Sequence, residues 1–123
     1  MRLIQEKSRK SINSKLQEEL IKSIQGEVRF DDISRQMYST DGSIYSILPV
    51  GVTIPSNADD VSAIIEICNK NNVAILPRGG GTSLSGQTVN SAVVIDFSKY
   101  MNKIIEINSD EKWVITEPGI TID

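Results

Sequence analysis

The sequence predicts an α+β fold that opens with an α/β unit and continues into antiparallel strands. Apolar runs at residues 50–54 and 73–76 flank a segment at 58–70 that has the periodicity of an amphipathic helix. This order predicts a βαβ unit with parallel strands, and a glycine-rich loop follows it at residues 77–88. Two short apolar segments within residues 104–116 are joined by a polar turn, which predicts the start of an antiparallel subdomain.

The composition is typical of one globular domain. The chain has 123 residues, 39% of them hydrophobic, and a net charge of −3. It is long enough for one compact domain and too short for two of ordinary size. The slight acidic excess argues against a nucleic-acid partner, and no apolar run reaches the ~20 residues of a transmembrane segment. A single cysteine and an N-terminus without the apolar core of a signal peptide predict a cytoplasmic protein.

Residues 1–25 are expected to form an N-terminal amphipathic helix, with its periodic part at 11–25. Its apolar stripe recurs at every fourth position and consists of Ile12, Leu16, Leu20 and Ile24, with Ile21 widening it. Ser14 and Gln17 form a candidate capping box, and Gly26 is a candidate stop signal. The charged first ten residues are expected either to extend this helix or to fray.

The segment at residues 27–48 has no sustained hydrophobic period, which indicates loop and short turns. Tyr38 and Tyr45 within it are expected to fasten the loop to the core. Residues 93–96 form another apolar run, which we expect to be a further strand of the same sheet.

The helix predicted at residues 58–70 carries signals at both of its ends. Ser56 or Asn57 would cap its start, where the helix dipole favours the carboxylates that follow. Asn71 would end it. Cys68 falls on the apolar stripe of this helix, so we expect a packed core thiol.

The segment at residues 77–88 carries the strongest functional signal. Its four glycines are interleaved with hydroxyl side chains, and it directly follows a predicted buried strand. Glycine permits positive φ and lets a ligand approach the main chain closely. Consecutive main-chain N–H groups in such a loop form a concave site for anionic oxygens, and the planar guanidinium of Arg78 suits phosphate. We therefore predict an anion-binding loop.

Two common phosphate-binding motifs do not fit this loop. The triphosphate motif G-x-x-x-x-G-K-[ST] matches residues 81–88 except that Gln87 replaces the lysine that reaches the phosphates. Only residues 89–92 separate it from the next strand, which is too short for the helix that the motif must open. The dinucleotide motif G-x-G-x-x-G fails because Leu84 stands where the third glycine belongs, and a helix is again missing.

The loop resembles the pyrophosphate-binding loop of FAD-binding domains of the vanillyl-alcohol oxidase/p-cresol methylhydroxylase (PCMH) type. Within that superfamily it is most similar to the D-lactate dehydrogenase and glycolate oxidase large-subunit branch. The resemblance covers residues 26–123, which would form the N-terminal portion of such a domain after the first helix. Its matching segments occur in the expected order: 26–29, 38–45, 49–55, the helix opened by Asp60-Val61, the glycine loop, 94–98 and 117–119.

The resemblance implies FAD as the cofactor. The residues that it assigns to FAD binding are Pro77, Arg78, Gly79, Gly80, Gly81, Thr82, Ser83, Gly86, Gln87, Pro118 and Gly119. The flavin would be held non-covalently, because the chain has no histidine to form a covalent link. One cysteine and no histidine also leave no metal site to expect.

The resemblance further implies a truncated fold and an incomplete enzyme. Relatives of this branch transfer a hydride from a small D-2-hydroxy acid to FAD, with the substrate-binding residues in a later part of the chain. No catalytic residue is therefore assigned here. Alternatives that stay open are a non-catalytic FAD-binding fragment, one half of a split enzyme completed by a downstream polypeptide, and an unrelated phosphate-binding α/β module. Exposed strand edges would also favour self-association.

Overall fold

The computed structural model describes residues 2–121, with side chains described from residue 13 onwards. Nine elements follow one another in that range. They are helix α1 (Arg2–Ser23), strand β1 (Glu27–Arg29), helix α2 (Asp32–Met37), strand β2 (Gly51–Ile54), helix α3 (Ala58–Lys70), and strands β3 (Ile75–Arg78), β4 (Val93–Asp96), β5 (Ile104–Asn108) and β6 (Trp113–Thr116).

A four-stranded sheet of order β1-β2-β4-β3 forms the centre of the protein. Strands β2 and β3 both run parallel to β4, while β1 pairs antiparallel with β2. Val94 of β4 faces Val52 on one side and Leu76 on the other. The predicted βαβ unit with parallel strands is confirmed, and β4 lies between its two strands.

Helix α3 has the bounds that the sequence predicts, because its terminal signals operate as expected. The side chain of Asn57 accepts a hydrogen bond from the amide of Asp60 at 2.9 Å, and Asn71 is the C-cap. Cys68 is fully buried in the core against this helix's neighbours, which confirms the expected packed thiol. Strand β3 begins two residues later than predicted, because the amide of Val73 still donates to the carbonyl of Cys68 at 2.9 Å.

Helix α1 packs against α3 and reaches further towards the N-terminus than residues 11–25. Leu16, Leu20 and Ile24 are buried in one core cluster with side chains of α3 and β4, as the fourfold spacing predicts. The side chain of Ile12 lies outside the described residues. The expected wider stripe is wrong, because Ile21 is 56% exposed.

The N-terminal capping box predicted for α1 is also wrong. Ser14 and Gln17 lie inside the helix, which begins at Arg2, so neither occupies a cap position. The helix ends at Ser23, three residues before the predicted stop at Gly26. Gly26 instead allows close packing, since a Cβ there would lie 2.1 Å from the carbonyl oxygen of Ile54.

The prediction of loop for residues 27–48 is wrong in two places. Strand β1 pairs with β2, with Val28 opposite Thr53, and the six-residue helix α2 follows it. Asp31 caps α2 by accepting a hydrogen bond from the amide of Ser34 at 2.8 Å. A three-residue strand and a helix of under two turns are too short to show a hydrophobic period.

Strands β5 and β6 form the predicted antiparallel hairpin, which is a sheet of its own. Ile107 faces Val114, and Asn108 faces Trp113 next to the turn. Most apolar side chains of the hairpin are exposed. An isolated two-stranded sheet is marginal in water, so this part of the fold has the least support from its own packing.

Candidate functional site

The candidate site lies where strands β3 and β4 end side by side. Arg78 is the last residue of β3 and faces Asp96, the last residue of β4. The glycine loop (residues 79–88) leaves β3 at this edge and returns to β4. Beyond the strands, the amide of Phe97 donates to the carbonyl of Arg78 at 3.1 Å. The loop thus leaves the carboxyl edge of the parallel strands, where open α/β sheets bind ligands.

The first two glycines of the loop leave free space beside the main chain. A Cβ built on Gly79 would meet no atom within 4 Å, and one on Gly80 would meet only Cγ2 of Thr82, at 3.7 Å. Positive φ is found instead at Gly81 (69°) and Gly86 (78°). The loop therefore uses its glycines in two ways, for an open surface first and for left-handed turns afterwards.

Arg78 turns its guanidinium towards the protein. Its Nη1 donates to the carbonyl oxygens of Tyr38 at 3.4 Å and of Thr88 at 3.2 Å. The guanidinium lies 5.2 Å from the centre of the Tyr38 ring, a cation–π distance. It also fills the space beside Gly81, where a Cβ would lie 2.4 Å from Nη2. Arg78 thus ties the start of the loop to its end and places a positive charge directly behind it.

Polar side chains inside the loop bond to one another. The hydroxyl of Ser83 donates to Oε1 of Gln87 at 2.7 Å, and the amide of Ser85 donates to the same oxygen at 3.2 Å. Thr82 is exposed on the loop, and Pro77 is exposed near the end of β3. The structure therefore brings all nine predicted residues from 77–87 together at one edge of the sheet.

A second segment, residues 38–43, holds the loop from outside. Oδ2 of Asp41 accepts hydrogen bonds from the amide and the hydroxyl of Thr88, at 3.3 and 2.9 Å. Its Oδ1 accepts from the amide of Ser43 at 2.8 Å, and the amide of Gly42 donates to the carbonyl of Gly81 at 2.9 Å. Hydrogen bonds from Ser43 foremost, and from Thr88, lower the pKa of Asp41 to about 2.

Sequence reasoning missed Asp41 as a site residue. Its one local signal is the Asp-Gly pair, which indicates a turn and nothing about the distant Thr88.

Asp96 is a buried carboxylate at this edge. Its Oδ2 accepts a 2.5 Å hydrogen bond from the hydroxyl of Tyr38, and its Oδ1 accepts from the amide and the hydroxyl of Ser98. Burial, together with the hydrogen bond to Asp96, raises the pKa of Tyr38 to about 12. Both oxygens of Asp96 are therefore occupied by protein donors.

Among the described residues, no group of acidic, cysteine or histidine side chains could hold a metal ion.

Pro118 and Gly119 form a turn that lies against the segment following β4. The amide of Gly119 donates to the carbonyl of Met101 at 2.8 Å, and the amide of Met101 donates to the carbonyl of Phe97. A Cβ on Gly119 would lie 2.1 Å from the carbonyl oxygen of Phe97, so close packing requires glycine here. Phe97 in turn bonds to Arg78, so a chain of main-chain hydrogen bonds links this turn to the base of the glycine loop.

A cavity among the described residues lies away from this site. Its volume is about 470 Å³, and it is lined by residues at the amino ends of the strands, including Pro49, Val50, Val73 and Ser91. It therefore opens at the opposite edge of the sheet from the glycine loop, and it plays no part in the predicted site.

The fold and the loop define an FAD-binding domain. Residues 49–123 match the family described as "FAD binding domain", and the chain belongs to this family. That segment contains β2, α3, the glycine loop and the hairpin. Its cofactor is FAD.

Curated relatives include three proteins that are longer than this chain. The D-2-hydroxyglutarate dehydrogenase of Escherichia coli is 40% identical over 101 residues, which are 80% of this chain and 10% of that protein. The glycolate oxidase subunit GlcD of Bacillus subtilis is 38% identical over 118 residues, 91% of this chain and 25% of that one. The mitochondrial D-lactate dehydrogenase [cytochrome] of Kluyveromyces lactis is 41% identical over 58% of this chain and 13% of its own.

Solved structures show the same fold at low identity. The 4-ethylphenol oxidase of Gulosibacter chungangensis superimposes with a TM-score of 0.72 and 22% identity, over 89% of this chain and 23% of that one. A p-cresol methylhydroxylase gives 0.71 and 19%, over 90% and 23%. The predicted PCMH-type fold is confirmed. The chain spans about a tenth to a quarter of the length of the relatives that it matches.

Membrane insertion through a helix finds no support in the described part of the chain. Between residues 2 and 121, no helix combines the length and the apolar character that crossing a bilayer requires.

Proposed function

We propose that the glycine loop binds the pyrophosphate of FAD through main-chain N–H groups and hydroxyls. The observation that carries this proposal is the open space beside Gly79 and Gly80, where a ligand atom can approach the main chain closely. The proposed FAD-binding residues are Pro77, Arg78, Gly79, Gly80, Gly81, Thr82, Ser83, Gly86, Gln87, Pro118 and Gly119. These residues fit an anionic group, because the loop offers neutral donors with a guanidinium behind it.

The residues of the loop would have different roles in binding FAD. Gly79 and Gly80 would admit the phosphates, and Thr82 and Ser83 would add hydroxyl donors. Arg78 would act mainly as a positive charge behind Gly81, since its Nη1 is already bonded to main-chain carbonyls. Pro118 and Gly119 would border the site from the segment after β4.

The flavin would be held without a covalent bond. The chain has no histidine, and its one cysteine is fully buried in the core. Burial raises the pKa of Cys68 to about 11, so its nucleophilic thiolate form is scarce at neutral pH. Acid precipitation of the FAD-loaded protein should leave the yellow colour in solution, and colour retained in the pellet would contradict this point.

The whole protein would be an oxidoreductase acting on a small D-2-hydroxy acid, as the names of its relatives indicate. FAD supplies the redox chemistry when bound, and the residues of this chain bind and orient it. The exposed hairpin would be covered by a downstream polypeptide that completes the domain, or by self-association. The alternatives remain a non-catalytic FAD-binding fragment and one half of a split enzyme. The cytoplasm is the compartment that we propose.

An FAD titration of the purified chain tests the pyrophosphate site. We expect a change in flavin absorbance on binding, and we expect Gly80→Ala to weaken it by on the order of tenfold, equal to about 1.4 kcal/mol. Binding of FAD to Gly80→Ala as tight as to the parent would overturn the assignment of the loop.

Dye reduction with D-lactate, glycolate or D-2-hydroxyglutarate separates the alternatives. The chain alone should show no turnover, because the resemblance places the substrate-binding residues in a later part of the chain. Turnover that appears only on addition of a separately produced downstream polypeptide would support a split enzyme. Turnover by the chain alone would contradict the proposal that the residues needed for turnover lie outside this chain.

A further inference from the structure

The glycine loop has few hydrogen bonds that could hold its shape from within. Inside it, Ser83 and Ser85 bond to Gln87, and the amide of Val89 reaches the carbonyl of Gly86 at 3.5 Å. Glycine loses more conformational freedom on ordering than any other residue type, and the loop contains four glycines. An anion site built from main-chain N–H groups needs those groups to converge before the ligand arrives. The order of the loop must therefore come largely from outside it.

The outside support centres on one carboxylate. Asp41 accepts both donors of Thr88 at the end of the loop, and the adjacent amide of Gly42 bonds to Gly81 in its middle. The other carboxylate oxygen accepts from the amide of Ser43, which fixes the side chain in place. Both oxygens of Asp41 are engaged in this way, so the side chain supports the loop instead of offering itself to a ligand.

We propose that Asp41 is a positioning residue for FAD, which orders the glycine loop without touching the cofactor. The proposal rests on the pyrophosphate site proposed above. Its effect passes through Thr88, which lies at the end of the loop. The carbonyl oxygen of Thr88 also accepts a hydrogen bond from Arg78. Asp41 and Arg78 therefore hold the same residue from two sides, by its donors and by its acceptor.

The chemistry requires a carboxylate and not merely a polar side chain of the same size. Asp41 accepts on both oxygens and carries no hydrogen in its ionised form. An amide at this position would keep one acceptor and turn an NH₂ group towards N–H or O–H donors. Asp41→Asn should therefore leave the main-chain amide of either Thr88 or Ser43 without its acceptor, while it preserves the volume of the side chain.

Hydrogen exchange on the ligand-free chain tests the ordering role without FAD. We expect Asp41→Asn to speed amide exchange at Gly42 and Thr88 by at least about tenfold. The amide of Thr88 loses its carboxylate acceptor, and the bond from the amide of Gly42 to the carbonyl of Gly81 opens more often once the end of the loop is released. Amides of α3 should keep the parent rates. Thr88→Val, which removes only the hydroxyl, should give a smaller change in the same direction, and Thr88→Ser should behave as the parent. Asp110→Asn, at the exposed turn of the hairpin, is the matched charge control.

An FAD titration of the same variants then tests the link to the cofactor. We expect Asp41→Asn to weaken FAD binding by on the order of tenfold and Thr88→Val by less, with both effects non-additive in the double variant. Unchanged exchange at Gly42 and Thr88 would overturn the ordering role, and so would faster exchange throughout α3. Faster loop exchange with unchanged FAD affinity would overturn the positioning role. If the parent binds no FAD while Asp41→Asn loosens the loop, the pyrophosphate site fails, and the link of Asp41 to the cofactor fails with it.

Discussion

The hydroxyl of Tyr38 lies 2.5 Å from Oδ2 of Asp96 and joins the end of α2 to the end of β4. Asp96 is only 6% exposed, so its carboxylate depends on protein donors in place of water. The ring of Tyr38 also faces the guanidinium of Arg78. Tyr38 thus joins the end of α2 to the carboxyl ends of β3 and β4.

Tyr38→Phe should destabilise the protein by about 1–3 kcal/mol, because a buried acceptor loses its partner. Urea unfolding followed by circular dichroism measures this change. Tyr45→Phe is the matched control, since Tyr45 is exposed and we expect it to leave stability unchanged. Equal unfolding midpoints for the two variants would show that the hydrogen bond to Asp96 adds nothing.

Alanine at neighbouring glycines should separate ligand contact from backbone strain. Gly80→Ala should leave thermal stability unchanged, because its Cβ enters free space at an ordinary φ. Gly81→Ala should lower stability by about 1–2 kcal/mol, since φ is 69° and an L-residue is strained there. Differential scanning calorimetry of the ligand-free variants checks both. A destabilised Gly80→Ala would mean that the loop is packed more tightly than its geometry indicates.

Asp60 should contribute stability that disappears in acid. Its carboxylate accepts from the amides of Gln25, Gly26 and Ser56. Burial raises the pKa of Asp60, but these hydrogen bonds outweigh it and leave the pKa below the ordinary 3.8. A depressed pKa means that the stabilisation is present above the unfolded-state pKa and is lost as pH falls below it.

The difference in unfolding free energy between the parent and Asp60→Asn should therefore be largest near neutral pH, at about 1–3 kcal/mol. It should shrink as the pH falls from about 4 towards the lower folded-state value. Urea unfolding at several pH values gives the curve. Asp59→Asn, on the exposed side of the same helical turn, is the matched control. A difference that grows in acid would have the wrong sign for this mechanism.

Much of the α/β unit was predictable from the sequence because its signals are local. Helix α3 has a stripe of apolar residues and an Asn cap, and the turn after β5 is polar, so each can be recognised within a short window. Strand β1 and helix α2 have no such signal, because pairing with β2 and contact with the core stabilise segments too short to show a period.

The candidate site was predictable only in part for a related reason. Three of the four glycines are contiguous in sequence, and the glycine-rich segment predicts a loop that binds anions. The support from Asp41 depends on contact with Thr88, 47 positions away, and no pattern around either residue announces it. The inward turn of the Arg78 guanidinium likewise depends on the distant Tyr38.

The hairpin should drive self-association of the chain. Ile107 and Val114 face each other across β5 and β6, and both are more than half exposed. Ile107→Lys should reduce association by placing a charge on this surface, which sedimentation velocity across the micromolar range would show. Ile44→Lys is the control, because Ile44 is 94% exposed but lies outside the hairpin. Equal effects of both substitutions would indicate general solubility and not an interface at the hairpin.

The position of β4 bears on how the protein acquires its shape during synthesis. Strands β2 and β3 share no edge, and each pairs with β4, which leaves the ribosome after both of them. Until residues 93–96 emerge, β2 and β3 therefore lack the strand that lies between them. The glycine loop precedes β4 in the chain and connects it to β3, so it spans the connection to the central position of the sheet. Insertion of β4 thus completes the central sheet and anchors both ends of the loop in the same step, so the edge that carries the loop forms together with the core.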